Sequence, residues 1–340
     1  MADVPETTQR WVLARRPDGE PNPETDFSFE EVDTPDPGPG EVLVRTRYLS
    51  VDPYMRGRMD EGESYASPWE VSEPLHGDVV GDVVDSRSPD FEAGDVVVGH
   101  LDWAEYGVAP ASGLRAVDPD RAPVSTALGV LGMPCRTAYF GTFDVADPGP
   151  SDTVVVSGAA GAVGSVAGQL ASLAGARVVG VAGADRKCEW LTDVAGLDAA
   201  VNYEREDVGE ALDDRCPDGV DAYFDNVGGP VTDAVFDRLN VRARVAVCGQ
   251  ISLYNATETP TAPRKLRHLI ATRARVEGFL VDDFAPRFDE AERRLAEWVR
   301  GGDLAYEEHV VSGLERAPEA FLALFEGEKM GKQLVRVDGG

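Results

Sequence analysis

Lysine is nearly missing from this chain of 340 residues: only Lys187, Lys265, Lys329 and Lys332 occur, and Arg supplies the rest of the basic charge. Basic charge is short as a whole, with 32 Lys and Arg against 61 Asp and Glu, for a net charge of −29. A polyanion of that strength repels phosphate backbones and anionic lipid, so neither nucleic acid nor a membrane surface is an expected partner. The acids are spread along the chain and not gathered into a tail. A dispersed acidic excess with scarce Lys reads as adaptation to molar salt, where the Debye length falls to about 3 Å and self-repulsion is screened. An ordinary acidic protein is the plainer alternative.

Cysteine and histidine are equally sparse. Cys135, Cys188, Cys216 and Cys248 contain no C-x-x-C pair, so their spacing indicates neither a disulfide framework nor a zinc site. His76, His100, His268 and His309 are scattered, with no H-E-x-x-H. Reduced thiols, packing or surface histidines and a mechanism without a metal are expected. No stretch approaches the roughly 18–20 uncharged apolar residues of a membrane span. The start, Met1-Ala-Asp-Val-Pro-Glu6, carries neither the basic nor the apolar region of a secretory signal, which sets the expectation of a cytoplasmic protein. Hydrophobic residues at 43% are enough for real cores, and the length is that of about two domains.

Up to about residue 120 the chain is rich in Pro and Gly and reads as short strands. Glu41–Tyr48 alternates with period two, and Val79–Val84 and Gly94–Gly99 repeat that signature. An antiparallel, barrel-like domain is expected there. Near Leu128 the texture changes. Thr153–Ser157 is a short apolar run of the kind a buried parallel strand shows, and Ala162–Ala174 follows it as a helix of small residues and leucines. Strands at Arg177–Val181, Ala199–Tyr203, Val220–Phe224 and Arg244–Cys248 alternate with helices at Arg186–Val194, Val208–Arg215 and Val231–Leu239. That alternation predicts an α/β fold, a doubly wound parallel sheet with helices on both faces. A helix at Pro318–Phe325 and a strand at Gln333–Val337 close the chain, either finishing this sheet or returning to the first domain.

Between the first parallel strand and its helix lies Ser157-Gly-Ala-Ala-Gly-Ala-Val-Gly164, a G-x-x-G-x-x-G turn. Small residues let backbone approach a diphosphate, and the helix N-terminus offers unpaired N–H groups and the positive end of a dipole. Gly161 and Gly164 in a strand–turn–helix context point to a dinucleotide. At the end of the second strand Ala182-Gly-Ala184 is neutral where NAD binders place an acid, and Lys187 is placed to pair with a 2′-phosphate, which favours NADP. Asp185 is the rival, as a ribose acid or as a helix N-cap.

The runs Leu49-Ser-Val-Asp-Pro-Tyr-Met-Arg56, Leu131-Gly-Met-Pro-Cys-Arg-Thr-Ala-Tyr139, Gly158-Ala-Ala-Gly-Ala-Val-Gly-Ser165, Tyr223-Phe-Asp-Asn-Val-Gly-Gly229 and Cys248-Gly-Gln-Ile-Ser-Leu-Tyr-Asn255 resemble the zinc-independent medium-chain dehydrogenase/reductases. Within them the chain is similar to the prostaglandin reductase and alkenal (alkenone) double-bond reductase branch, from about residue 45 to the end. The resemblance implies a GroES-like antiparallel β-barrel domain (1–124 and 308–340), an inserted Rossmann NADP-binding domain (125–307), NADP(H) in the cleft between them and a homodimer. It implies that Ala162, Val163, Gly164 and Ser165 line the diphosphate, and that Lys187 and Tyr203 hold the 2′-phosphate end. Asn226 and the loop Cys248, Gly249, Gln250, Ile251, Ser252 and Tyr254 would flank ribose and nicotinamide. Phe279, Leu280 and Val281 would pack near the ring, and Tyr54 and Tyr254 would face the substrate. The sequence departs from the family at Cys135, where Gly is usual, and at Lys329, where an Asn cofactor contact is common. Thr192–Gly196 is also one residue longer than usual.

The implied reaction is hydride transfer from NADPH to the β-carbon of an α,β-unsaturated aldehyde or ketone, with protonation at the α-carbon. Charge then develops on the carbonyl oxygen, and without a metal the site needs a hydrogen-bond donor aimed at it. Tyr254 is the candidate. Its alternative role is packing on the cofactor. An NADPH-dependent quinone reductase of the same fold, or a non-enzymatic NADPH-binding protein, are the other readings of the chain. The charge pattern gives the first test: raising KCl from about 0.1 M to about 3 M should raise the melting temperature, and a higher Tm at low salt would count against salt adaptation.

Overall fold

The computed structural model describes residues 4–62, 64–258, 260–327 and 329–337. These form two compact units. One takes the chain up to Leu128, His309–Glu326 and the stretch from Gln333 onward; the other takes Gly129–Glu308 and Gly327–Lys332.

The first unit opens with β1 (Thr7–Leu13) and β2 (Phe27–Asp33), an antiparallel pair. Then come β3 (Glu41–Ser50), β4 (His76–Ser86), β5 (Val96–Asp102), β6 (Tyr106–Pro110) and β7 (Arg115–Ala116). The long strand β3 organises them: it pairs with β4, with β6 through Glu41–Arg45, and with a C-terminal strand through Tyr48–Ser50. Two register shifts along β3 and β4 bend the pair. At Gly81 a Cβ would strike the carbonyl oxygen of Arg45, so only glycine admits this close approach. The core holds Leu13, Leu49, Met55, Trp69, Trp103 and Phe321.

The second unit contains a six-stranded parallel sheet. Its strands are β8 (Thr153–Ser157), β9 (Arg177–Ala182), β10 (Ala199–Asn202), β11 (Val220–Asp225), β12 (Leu239–Val247) and β13 (Arg275–Gly278). Its helices are α1 (Met133–Phe140), α2 (Gly164–Leu173), α3 (Asp185–Asp193), α4 (Val208–Arg215), α5 (Gly229–Phe236), α6 (Leu266–Thr272) and α7 (Phe288–Gly301). The strand order is β10-β9-β8-β11-β12-β13, a doubly wound Rossmann sheet with its switch point between β8 and β11. Every residue of β8 is buried because helices cover both faces. Val154 and Val156 join Leu170 and Phe224 on one side, while Val155 joins Val179, Tyr223 and Val245 on the other.

The chain then returns to the first unit through β14 (Glu308–Ser312), α8 (Ala317–Glu326) and β15 (Lys332–Arg336). β15 pairs antiparallel with β3, which settles the destination of the tail. Several expected boundaries move. α2 begins at Gly164 and not Ala162, because Gly161 N–H donates to Gly158 O at 2.9 Å and draws residues 161–163 into a turn. α5 begins at Gly229, with Pro230 in its first turn, and ends at Phe236, so the next strand starts at Leu239.

Candidate active site

In an open parallel sheet ligands bind beyond the carboxyl ends of the strands at the switch point. In the second unit that crevice is lined by the turn after β8, the loop after β11 and the loop after β12. Gly158 has φ +59°, and a Cβ on Gly164 would strike the Gly158 carbonyl oxygen. No side chain caps α2, which leaves the backbone at Ala162, Val163 and Gly164 as the lining of this turn, while Ser165 N–H donates to Gly161 O at 3.0 Å. This cradle of backbone suits a diphosphate. The segment carrying Lys329 runs beside it: Gly331 N–H donates to Ala160 O at 2.8 Å, and Gly161 and Gly331 form a parallel bridge. Cys135, buried, points its thiol at Ala162 O, 3.7 Å away, and burial pushes its pKa up to about 12, so it packs without reactivity.

The end of β9 is built of side chains. Lys187 is buried, with its ammonium on the carbonyl of Gly327. A Cβ on Gly183 would lie 2.6 Å from the Tyr203 hydroxyl, and one on Gly327 would lie 3.6 Å from it. Lys187, Tyr203 and the two glycines therefore converge. Asp185 is not the N-cap of α3. Ala184 occupies the cap position, and the Asp185 carboxylate accepts from Asn202 at 2.6 Å and pairs with Arg205 at 2.5 Å.

At the switch point stands Asp225, the last residue of β11 and fully buried. Its carbonyl accepts from the N–H groups of Cys248 and Gly249, at 2.8 and 3.0 Å. Asn226 spans to β8, its N–H donating to Ser157 Oγ and its amide to Ser157 O, at 2.9 and 2.7 Å. Ser252 is hydrogen-bonded to Val227 O through both N–H and hydroxyl, and Ile251 N–H reaches Asn226 O. The hydroxyl oxygen of Tyr254 accepts from Gln250 N–H at 3.2 Å and lies 3.3 Å from where a Cβ on Gly249 would stand. Burial, and then the charges of Cys248 and Asp225, raise the Tyr254 phenol; the Gln250 N–H opposes them. The phenol therefore keeps its proton at neutral pH. Phe279 packs edge-on against Phe224 with centroids 6.2 Å apart; exposed Leu280 and half-buried Val281 follow it.

Tyr54 belongs to the first unit, on a 3₁₀ turn over Pro53–Met59. Burial, then the charges of Asp52 and Asp78, raise its phenol. Arg58, one turn on and buried, hydrogen-bonds to Tyr54 and donates to Ser67 O at 2.8 Å. Its guanidinium also meets Nε2 of His76 and, at 3.3 Å, Nε2 of His100, and stacks 5.2 Å from the Trp69 ring centroid. A guanidinium only donates, so both imidazoles accept at Nε2 and carry their proton on Nδ1. The Nδ1–H groups turn to Pro74 O and the Asp78 carboxylate, respectively. The histidine pair, like Asp225, is invisible as a site in the sequence. Strand alternation places each side chain on a face, but only the register of β4 on β5 sets the two rings 4.9 Å apart. Among the described residues no group of three or more His, Cys, Asp or Glu could hold a metal ion, and no helix is long and apolar enough to cross a membrane.

The chain is similar to known oxidoreductases over nearly its whole length. Residues 9–117 match the family model described as the N-terminal domain of oxidoreductase, and residues 162–297 match that described as Zinc-binding dehydrogenase. The chain is 43% identical over 344 residues to the NADPH-dependent curcumin reductase of Escherichia coli (strain K12), covering 100% of this chain and 99% of that one. It is 42% identical over 303 residues to the 2-alkenal reductase (NADP(+)-dependent) of Nicotiana tabacum, covering 88% of each. The crystal structure of CurA from Vibrio vulnificus in complex with NADPH superimposes with a TM-score of 0.93 at 40% identity, over 98% of this chain and all of that one.

The His76 environment gives a pH test. Burial, then the charges of Arg58 and His100, lower its pKa from 6.5 to about 4. Between those values the unfolded chain binds a proton that the folded chain refuses, so stability falls as pH drops through that window and levels below it. Urea unfolding of the wild type should lose about 2 kcal/mol more between pH 7 and pH 4 than His76→Gln, which keeps an acceptor for Arg58 and cannot titrate. Equal losses would show that the His76 environment does not refuse the proton.

Proposed function

The chain belongs to the zinc-independent medium-chain dehydrogenase/reductase family and is an oxidoreductase that uses NADP(H), and on that premise we propose that it reduces the C=C bond of α,β-unsaturated aldehydes and ketones. The observation that carries the reading is Tyr254: a protonated phenol held by Gln250 N–H at the switch-point crevice, where a developing oxyanion needs a donor. Curcumin reductase and 2-alkenal reductase, the names of two relatives, both denote reduction of conjugated carbonyl compounds.

Bound NADPH supplies a hydride, which goes to the β-carbon of the substrate. The displaced electron pair passes to the carbonyl oxygen, and the Tyr254 hydroxyl donates to that oxygen as its charge grows. A proton taken from solvent water then adds at the α-carbon. Gln250 fixes the direction of the Tyr254 hydroxyl by occupying one lone pair on its oxygen. In the first unit, Tyr54 is the candidate substrate contact, its hydroxyl hydrogen-bonded to Arg58. In the cofactor site, Gly161 and Ala162–Ser165 receive the diphosphate on backbone, while Lys187 and Tyr203 receive the 2′-phosphate. Lys329 stands beside the diphosphate. Asn226 and Cys248–Tyr254 adjoin ribose and nicotinamide, with Phe279, Leu280 and Val281 near the ring. Lys187 is the charged contact at the 2′-phosphate end, of the kind worth about 1.5–3 kcal/mol.

The same reading includes a cytoplasmic homodimer working in high salt. β13 is an exposed edge strand with the sequence Arg275-Val-Glu-Gly278, and Leu266 and Ile270 of α6 are exposed beside it in the chain. Two such strands paired antiparallel about Val276 would set each Arg275 opposite a Glu277.

Oxidation of NADPH at 340 nm, in molar KCl with NADH as control, tests the proposal. Turnover of 2-alkenals and alkenones well above that of small quinones is expected, and the reverse order would overturn the substrate class. Tyr254→Phe should lower kcat by about 10²–10³ with NADPH affinity intact. A fall below about fivefold would reduce Tyr254 to packing.

A further inference from the structure

The switch point contains a buried charge that the proposed reaction does not use. Asp225 has no exposed surface, and among the described residues no Lys or Arg pairs with it. Its carboxylate accepts six hydrogen bonds from neutral donors. Oδ1 takes the hydroxyls of Ser157 and Tyr223 and the N–H groups of Val227 and Gly228; Oδ2 takes Thr232 Oγ1 and Gln250 Nε2. Ser157 Oγ also accepts from Asn226 N–H, which commits its proton to Asp225. This inventory is that of an ionised carboxylate, which only accepts. Burying such a charge without a counterion is expensive, and neutral donors compensate it only when all are in place. A Ser or Asn at this position would fasten the same loops at less cost, so the charge itself calls for a role.

The charge is felt in the loop after β12. Burial and then Asp225 push the Cys248 thiol up to about 12. Tyr223 is raised by burial and then Asp225, and Tyr254 by burial with a smaller contribution from the same carboxylate. These residues lie in or under the loop that the proposed function sets against the nicotinamide. Conversion of the reduced dinucleotide to the oxidised one adds one positive charge to that ring. A fixed anion beneath it stabilises the oxidised form more than the reduced form, and low-dielectric surroundings screen the effect less than solvent or salt would.

We propose that Asp225 is a positioning residue with an electrostatic function: its buried carboxylate tilts the site toward oxidised NADP over NADPH. The inference rests on the placement of the nicotinamide beside Cys248–Tyr254 and needs no assumption about the substrate. It also differs from a purely structural role. A fastening that merely orders the loops binds both redox forms better by the same factor. A charge alters their ratio.

The test is the pair of dissociation constants for NADP⁺ and NADPH, measured by calorimetry or fluorescence on wild type and Asp225→Asn. Asn keeps the size and the oxygen that takes four of the six hydrogen bonds, and turning the Gln250 amide to meet the new N–H₂ gives up its bond to Gly249 O. The expected result is a shift of the affinity ratio toward NADPH on the order of tenfold, equivalent to about 30 mV in the bound two-electron couple. Equal weakening of both forms, or no change in either, overturns the proposal. Should Asp225→Asn fail to fold by circular dichroism, Tyr223→Phe carries the test. It keeps the charge and removes one dipole facing it, so the ratio should move at least about twofold toward NADP⁺. An unchanged or opposite ratio overturns the proposal there. Because no alkene enters the measurement, a failure of the substrate assignment would leave these binding ratios unaffected.

Discussion

The second unit depends on one fastening, the hydrogen-bonded carboxylate where β11 ends. In a doubly wound sheet the chain leaves β8 toward one face and β11 toward the other, so the backbones part and their ladder stops. Ladder pairing between these strands extends only to Val156 and Phe224. Beyond it, Ser157 and Asp225 replace backbone pairing with side-chain bonds, and Asn226 closes the gap from the other side. Hydrogen bonds to a charged group are each worth about 1.5–3 kcal/mol, against about 1 for neutral pairs. The polar network thus holds open a crevice that apolar packing would fill. Its cost is the desolvation of a carboxylate, which is why six donors converge on two oxygen atoms.

The two ends of this crevice use different chemistry. The turn after β8 offers backbone alone, with glycine where any Cβ would collide with the Gly158 carbonyl. Backbone dipoles suit a group that every dinucleotide shares. The end of β9 is lined by side chains instead: Lys187 is seated on Gly327 O, Tyr203 covers Gly183, and the Asp185 carboxylate bonds Asn202 and Arg205. The Arg205 guanidinium beside Asp185 offsets part of its negative charge.

The parallel sheet was legible because burial on both faces leaves an unbroken apolar signature in Thr153–Ser157, and the glycine turn announced what lies at its end. The family's motifs placed Asn226 and the Cys248–Tyr254 loop close to each other, and backbone bonds join them. Other features left no trace. β13 is four exposed residues with a charge on each side of Val276, which resembles loop until β12 is beside it. Helix α1 carries Pro134 in its first turn and continues as a π-helical segment over Gly141–Ala146, so no regular period marks it. Asp225 lay inside a recognised motif, yet its chemistry comes from partners as far as 68 residues away. Sequence distance hides such a network completely, since each donor alone is an ordinary Ser, Thr, Tyr or Gln.

The surface charge and the cofactor pull against each other. A chain at −29 repels a ligand that itself carries several phosphate charges, and at low ionic strength that repulsion acts over tens of ångströms. Contacts that are short and buried escape the salt that removes it, and the crevice has this character: N–H groups at a helix end and a Lys buried against a carbonyl. Arg is likewise kept where geometry gives it more than charge. Arg136 pairs with Glu292 at 3.2 Å while stacking 4.2 Å from the Phe288 centroid, and Arg244 joins Asp152 to the end of the π-helical segment. A planar guanidinium can fork and stack, and an ammonium cannot. In concentrated salt, exposed point charges lose most of their value, whereas stacked and forked contacts keep theirs. A polyanionic surface with scarce Lys thus leaves these Arg residues in forked and stacked contacts, whose geometry holds where screening weakens point charges.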